Sequence, residues 1–163
     1  MLEKIIPYFE SDDISTQLRN INNHFDKLYE LGNGYENGTI ERVEKATKRA
    51  IEIFEKVFKD NSEKITLVIY EFPEPNLFGA SNSYLNSQLN DLSNVQKIKK
   101  NEFDIFIIKT QLKDIEYKNI LHAIVNTEMG FDPALSQIVY FFSDLSEKAF
   151  VMFDDRACKS NNI

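Results

Sequence analysis

Two carboxylates and one guanidinium stand together near the end of the chain. They are Asp154, Asp155 and Arg156, and they directly follow the largely apolar segment QIVYFFSDLSEKAFVMF at residues 137–153. Carboxylate oxygens can bind a hard cation such as Mg²⁺ or Ca²⁺, and a guanidinium can stabilise developing negative charge. The end of a strand would hold these groups rigidly where water or a partner can still reach them. The Asp-Asp-Arg motif is therefore the first candidate for a functional site.

Three interpretations of this motif remain open at the level of sequence. Neighbouring side chains of a strand point to opposite faces, so only one aspartate can line a given site unless the strand has ended at Asp154. In a structural interpretation, Asp155 and Arg156 pair with other charged groups or cap a helix and so anchor the C-terminal segment. In a binding interpretation they contact a partner or ligand. In a catalytic interpretation, Asp154, Asp155 and Glu71, which ends another predicted strand, hold a metal ion.

Other catalytic and metal-binding chemistry finds little support. The only histidines, His24 and His122, each adjoin an apolar residue, and we interpret them as packing or capping groups at helix surfaces. Cys158 follows the motif in a polar tail, and we interpret it as an exposed, non-essential thiol near a frayed terminus. One cysteine and two histidines do not make a structural zinc set, and the loop LGNGYENG at residues 31–38 matches no phosphate-binding glycine pattern. We expect no cofactor and no metal.

The bulk composition predicts a single globular domain. With 163 residues, 42% of them hydrophobic, the chain has the size and composition of one packed unit, with a helical half over residues 1–60 and a sheet-forming half over residues 61–163. Its net charge of -7 repels phosphate backbones and anionic lipids, so we expect neither a nucleic-acid nor a membrane ligand. A lone cysteine and an N-terminal segment unlike a signal peptide favour the cytoplasm.

Hydrophobic spacing predicts an α+β fold. Apolar residues recur every three or four positions over residues 14–31, 40–58 and 117–129, which indicates helices, and a further short helix is expected within the polar connection 76–101. Runs rich in β-branched and aromatic residues predict strands over residues 64–72, 103–112, 138–143 and 149–154. We expect a mainly antiparallel four-stranded sheet packed against three to four helices. The last two strands should form a C-terminal β-hairpin.

Several of these segments resemble a bacterial family catalogued as domain of unknown function 3885, DUF3885. The similar segments are LYELG at residues 28–32, RAIEIFEKVF at 49–58, YKNILHAIVNTEMG at 117–130, and VYFF followed by VMFDDRAC at 139–158. The first four positions of the family motif aromatic-Asp-Asp-Arg-Gly match residues 153–156, and further family-like positions are Glu30, Gly32, Asn126 and Glu128.

This chain departs from the family pattern at two positions. It has Ala157 where the family usually has glycine, and Leu28 where the family usually has arginine. If the family glycine serves a left-handed turn, that geometry changes here. If the family arginine pairs with a motif aspartate, that pair is missing here. The resemblance implies no reaction.

Two functions follow as hypotheses. The first is a non-enzymatic cytoplasmic protein-binding domain, including the immunity type that neutralises a bacterial toxin. Its partner would be a basic protein, because the chain is acidic. Candidate contacts are Asp154, Asp155, and the helix glutamates Glu41, Glu44, Glu52 and Glu55, although a solvated helix face explains these glutamates more simply. The alternative is a metal-assisted hydrolase that uses the Asp-Asp-Arg site. The sequence sets no oligomeric state.

Overall fold

One antiparallel sheet organises the protein. The computed structural model describes residues 1–75 and 79–161. Within them, seven strands are arranged in the order β1-β7-β6-β5-β2-β4-β3, and every neighbouring pair is antiparallel. The strands are β1 Lys27–Glu30, β2 Lys64–Glu71, β3 Val95–Lys99, β4 Asp104–Gln111, β5 Ile138–Ser143, β6 Ala149–Met152 and β7 Ala157–Asn161. The α-helices are α1 Leu2–Ile5, α2 Ile14–Asn22, α3 Ile40–Val57, α4 Ser83–Asn86 and α5 Tyr117–Met129, with 3₁₀ turns at Ile6–Glu10 and Leu112–Asp114.

The central strands carry apolar side chains on both faces, and each face is covered by helices. In β2, Leu67 and Ile69 belong to a core shared with α3 and α5, whereas Val68 and Tyr70 belong to a second core beneath α1, the first 3₁₀ turn and α2. This follows from the two-residue period of a strand, which sends successive side chains to opposite faces. The α+β class predicted from the sequence is confirmed, with the sheet between two helical layers.

The two long helices that cover the first face follow their predicted patterns. Thr39 caps α3 by accepting the backbone N–H of Arg42 at 3.3 Å, and one face of α3 is buried along its length. Helix α5 is capped at its C-terminus by Gly130, whose φ of 72° places it in the left-handed region that favours glycine. The ends of α3 and α5 bear on the site described below.

The predicted first helix over residues 14–31 is wrong beyond Asn22. Helix α2 ends there, and residues 27–30 form the edge strand β1, which pairs with β7. The apolar positions that continue the helical spacing have other roles. Phe25 packs against Tyr140 and Phe142 in the second core, and Leu28 is exposed. The segment over residues 1–60 thus supplies a strand to the sheet as well as helices.

The prediction of four strands is also wrong, because β1, β3 and β7 were not foreseen. Strand β3 lies inside the connection over residues 76–101, together with the expected short helix α4. Residues 76–78 of that connection lie outside the described residues. Strand β7 has the polar sequence ACKSN and inserts between β1 and β6. The C-terminal hairpin of β5 and β6 is confirmed, since the two strands pair antiparallel from Tyr140 to Phe142.

No helix among the described residues combines the length and the apolar composition that a membrane span requires.

Candidate functional site at the β6–β7 turn

The Asp-Asp-Arg motif forms the turn between β6 and β7. The predicted strand over residues 149–154 ends at Met152, and the N–H of Phe153 donates to the carbonyl of Ala157 at 3.2 Å to close the turn. Within it, Oδ1 of Asp154 accepts the backbone N–H of Arg156 at 2.8 Å. This is the local bond by which aspartate favours turns. Because the strand has already ended, the two aspartates are free of strand alternation.

Asp154 also holds the side chain of Arg156. Its Oδ2 accepts both Nε of Arg156, at 2.8 Å, and Nη2, so that one carboxylate oxygen holds two N–H groups of the guanidinium. Nη2 lies 3.8 Å from Oε1 of Glu128, and the Arg156 side chain is 65% exposed. The hydrogen bond to Asp154 and the charges of Asp154 and Glu128 raise the pKa of Arg156. The guanidinium is therefore a fixed charge at the surface.

Asp155 points to a different arginine. Its Oδ2 accepts Nε of Arg42 at 2.5 Å, with the Asp155 side chain 1% exposed and that of Arg42 12% exposed. Arg42 lies in the first turn of α3, where its Nη1 also donates to the carbonyl of Tyr35 at 2.8 Å. The pair ties the β6–β7 turn to the start of α3 and to the loop before it.

Gly32 lies against this ion pair. A Cβ at Gly32 would lie 3.0 Å from Cζ and Nε of Arg42 and 3.0 Å from the carbonyl oxygen of Asp155. Beside it, the N–H of Leu31 donates to the carbonyl of Arg156 at 2.8 Å. Glu30 pairs with Ala157 across the β1–β7 ladder, and its carboxylate accepts Nδ2 of Asn33. The absence of a side chain at Gly32 lets β1, Arg42 and the turn approach closely.

The end of α5 supplies the remaining family-like positions. Asn126 is 2% exposed, and its Nδ2 donates to the carbonyl of Pro133 at 3.0 Å, which fixes the segment that follows the helix. Glu128 lies one half-turn further along and reaches Arg156. Residues from four separate segments thus meet at one end of the sheet, and these include Gly32, Arg42, Glu128 and the three motif residues.

Among the residues that the structure describes, no hydrogen bond or ion pair joins Glu71 to this cluster. It ends β2, and its Oε2 accepts Nε2 of Gln137 at 3.2 Å. Over residues 1–75 and 79–161, no three His, Cys, Asp or Glu side chains are grouped so that they could hold a metal ion. The geometry therefore lends no support to a site made of Asp154, Asp155 and Glu71.

Leu28, the position at which the family usually has arginine, is 62% exposed on β1. Asp155 nevertheless has an arginine partner, because Arg42 reaches it from α3. Sequence reasoning missed Arg42, which lies 113 positions from Asp155 on a helix rich in charged residues. Ala157 begins β7 where the family usually has glycine.

The remaining sequence candidates lie elsewhere. Cys158 is fully buried in β7, and burial raises the pKa of its thiol to about 12, so the prediction of an exposed thiol near a frayed terminus is wrong. His24 hydrogen-bonds the hydroxyl of Tyr8 at 3.0 Å, and His122 is exposed on α5. The glutamates of α3 are interspersed with its lysines and arginines, and Glu55 pairs with Lys118. A face of mixed charge of this kind gives no directional attraction to a basic partner.

Comparison with known proteins places the chain in a family. The model of DUF3885, described as a domain of unknown function, matches residues 10–159. The chain belongs to this family. Searches of curated proteins and of solved structures found no match. The DUF3885 match covers every residue of the cluster at the β6–β7 turn.

The surface around the turn of this DUF3885 protein carries charges of both signs, and its cations include Arg156 and Lys159, whose Nζ lies 5.9 Å from the centre of the Phe153 ring. Glu128 and Arg156 are exposed, and exposed Glu30 lies on the strand that pairs with β7. Exposed Glu36 lies in the loop that contacts the end of α5, where the N–H of Gly38 meets the sulfur of Met129 at 3.0 Å, and exposed Asp132 follows α5. The exposed aromatic ring of Phe153 adds apolar surface. The arrangement can recognise a partner by charge and by contact.

Proposed function

We propose that this DUF3885 protein is a non-enzymatic, protein-binding domain of the bacterial cytoplasm, which receives a basic protein partner at the β6–β7 turn. The supporting observation is that the two ion pairs of the motif lie in different environments. Asp155 is buried against Arg42, whereas Arg156 is exposed and is held in one orientation by Asp154. A buried ion pair beneath an oriented, exposed guanidinium gives a preorganised binding surface. The guanidinium would meet a carboxylate or carbonyl oxygen of the partner, and the surrounding carboxylates would meet its basic residues.

The charges of this surface favour a basic partner. Glu30, Glu36, Glu128 and Asp132 are exposed on segments that meet at the turn, and the whole chain has a net charge of -7. Complementary charge accelerates encounter and selects among partners. An immunity-type role, in which the partner is a bacterial toxin, is one form of this proposal.

Catalysis has less support. A metal-assisted hydrolase needs carboxylates that converge on one cation, but Asp154 and Asp155 take separate arginines as partners. Millimolar Mg²⁺, Mn²⁺ or Ca²⁺ should therefore leave the melting temperature unchanged, since only a ligand that binds the folded state raises it. A rise that disappears in Asp154→Asn would support the hydrolase instead.

Affinity capture with a charge-reversed variant tests the proposal. Wild-type protein, Glu128→Arg and the control Glu3→Arg are immobilised and exposed to lysate of the source bacterium, and retained proteins are quantified. Glu3 is exposed on α1, on the other face of the sheet, so the control makes the same charge change away from the turn.

We expect a basic protein that wild type and Glu3→Arg retain and that Glu128→Arg loses by at least about tenfold, which corresponds to roughly 1.4 kcal/mol. For an immunity-type partner, co-expression with wild type should also restore growth that the partner inhibits, and co-expression with Glu128→Arg should not. The proposal is wrong if no basic protein distinguishes Glu128→Arg from the control.

A further inference from the structure

A pocket opens beside the β6–β7 turn, where the sheet ends. It has a volume of about 230 Å³, and its apolar wall is formed by Phe72, Ile124, Leu135, Ile138, Met152 and Phe153. These residues come from the ends of β2, β5 and β6, from α5, and from the segment between α5 and β5. Glu128, which contacts Arg156, also lines the pocket. The pocket and the proposed binding surface are thus continuous.

The size of the pocket suits one large side chain. Pockets for drug-sized ligands usually measure about 300–1,000 Å³, whereas an engineered apolar cavity of about 150 Å³ binds benzene. At 230 Å³ this pocket lies between the two. It has room for an aromatic ring with a substituent, which is the size of a tyrosine or tryptophan side chain.

A buried amide in the pocket wall lacks a hydrogen-bond donor. Gln137 is 4% exposed, and its Nε2 donates to the carbonyl of Asn82 at 2.9 Å and to Glu71 at 3.2 Å. Both partners are acceptors, so the orientation of the amide is determined and Oε1 must face the other way. Within the part of the chain that the structure describes, Oε1 of Gln137 and Oγ of Ser136 have no hydrogen-bond partner. Both oxygens are enclosed by protein atoms, so a donor in the pocket reaches Oε1 only after a small movement of the pocket wall. A donor that does so satisfies an acceptor that is otherwise left unpaired.

We infer that this pocket receives an aromatic side chain with a hydrogen-bond donor, tyrosine or tryptophan, from the basic protein partner. The inference rests on the proposed function and adds the anchor residue of the partner to it. The ring would fill the apolar wall, its O–H or N–H would approach Gln137, and a neighbouring lysine or arginine of the partner would meet Glu128. Tyrosine, tryptophan and arginine are the residue types that dominate binding energy at interfaces.

Side-chain analogues test the pocket without the partner. The chain contains no tryptophan, so 3-methylindole can be excited at wavelengths that the tyrosines of the protein do not absorb. We expect its emission to shift to shorter wavelength on binding, and the amide resonances of Thr127, Gln137 and Phe153 to move in nitrogen–proton correlation spectra. Toluene should bind about fivefold more weakly than p-cresol, the tyrosine analogue that differs from it only by the donor hydroxyl, and this is the equivalent of one hydrogen bond of roughly 1 kcal/mol. The inference fails if neither 3-methylindole nor p-cresol moves these resonances.

A pocket-filling variant tests the inference with the captured partner. Ser136→Leu places a larger side chain in the pocket, and Ser146→Leu is the matched control, because Ser146 is a second half-buried serine, in the loop between β5 and β6. Ser136→Leu should weaken the partner by about thirtyfold or more, the scale of an interface hot spot, while Ser146→Leu binds as wild type does.

The possible outcomes separate this inference from the proposed function. If Glu128→Arg abolishes partner binding and Ser136→Leu does not, the proposed binding surface at the β6–β7 turn is supported, and the inference that the pocket receives an aromatic side chain of the partner is wrong. If native mass spectrometry shows a small metabolite that leaves with Ser136→Leu while the partner still binds, the pocket serves a metabolite and the inference is overturned. If no basic partner depends on Glu128, the proposed function itself fails.

Discussion

The two aspartates of the motif are neighbours in sequence but differ in environment. Asp155 is 1% exposed and pairs with Arg42, which is 12% exposed. Asp154 is 10% exposed but pairs with Arg156, whose side chain is 65% exposed, and it keeps the backbone N–H of residue 156 as a donor when that side chain is removed. Removing one partner of a buried ion pair leaves an uncompensated charge, but exposed pairs contribute little. Asp155→Ala should therefore lower the free energy of unfolding by about 3–5 kcal/mol, and Arg156→Ala should change it by less than about 1 kcal/mol. Urea denaturation measures both.

A double-mutant cycle checks the cause of that loss. Arg42→Ala with Asp155→Ala should cost less than the sum of the single changes, because the double variant leaves no unpaired charge. The control is Asp104→Ala, which breaks the partly exposed pair with Lys97 and should cost less than about 1 kcal/mol. If Asp155→Ala lowered the free energy of unfolding by less than about 1 kcal/mol, Asp155 would not be a structurally important partner of Arg42.

Cys158 lies in the first core, and burial raises the pKa of its thiol to about 12. Only the thiolate reacts readily, so the native protein should resist iodoacetamide at pH 8. In urea above the unfolding midpoint, Cys158 should be modified at the rate of a free thiol. Mass spectrometry of the two samples checks this prediction, and rapid modification of the native protein would contradict the burial of Cys158.

The sequence could indicate part of the site only. The cluster of charges at residues 154–156 marks the place, since three charged side chains after an apolar run are visible in the chain itself. Arg42 carried no such signal, because it is one of several cations on α3 and its partner is 113 positions away. The role of Gly32 was equally hidden, since it depends on the approach of two segments.

At the scale of elements, β1 is the clearest test of the fold. It is an edge strand, and Leu31 donates its N–H to Arg156 at 2.8 Å. Hydrogen-bonded pairs alternate along an antiparallel ladder, so the N–H of Tyr29 faces β7 while those of Leu28 and Glu30 face the open edge. Amide exchange should therefore be slow at Tyr29 and Leu31 and fast at Leu28 and Glu30. Uniform protection of residues 28–31 would indicate a helix instead.

The elements that sequence predicted well are those with local signals. Helix α5 has both its apolar face and a terminal glycine in its own sequence, and β5 is a continuous apolar run. Strands β1 and β7 each depend on the other and on β6, and neither has a pattern of its own. Phe25, Leu28 and Leu31 have the spacing of one face of a helix. Phe25 and Leu31 are buried in different cores, so their spacing does not reflect a shared helical face.

At the scale of the whole molecule, the sheet separates two cores of different character. The core beneath α3 and α5 includes aromatic contacts around Phe54, whereas the other contains two buried tyrosines whose hydroxyls are hydrogen-bonded to α2. Tyr70 donates to Gln17 at 2.7 Å, and Tyr140 donates to Asn22 at 3.1 Å. These bonds attach the short helices of the N-terminal segment to the second face of the sheet.

The buried tyrosines predict how the protein responds to alkali. Burial raises the pKa of Tyr70 and of Tyr140 above the usual 10.0. Since the unfolded chain ionises first, the stability that the neutral phenols contribute is complete below pH 10 and is lost progressively as pH rises above it. The urea midpoint should therefore be constant from pH 8 to 9.5 and should fall steeply from pH 10 to 11.5.

Single phenylalanine substitutions assign this loss of stability to particular tyrosines. Tyr140→Phe removes one linked proton and should flatten the fall above pH 10. Tyr70→Phe should flatten it as well, but it should also lower stability at pH 8 by about 1–3 kcal/mol, because Oε1 of buried Gln17 then lacks its donor. If both variants lose stability with pH as steeply as wild type, the alkaline transition arises elsewhere and the tyrosines are not its cause.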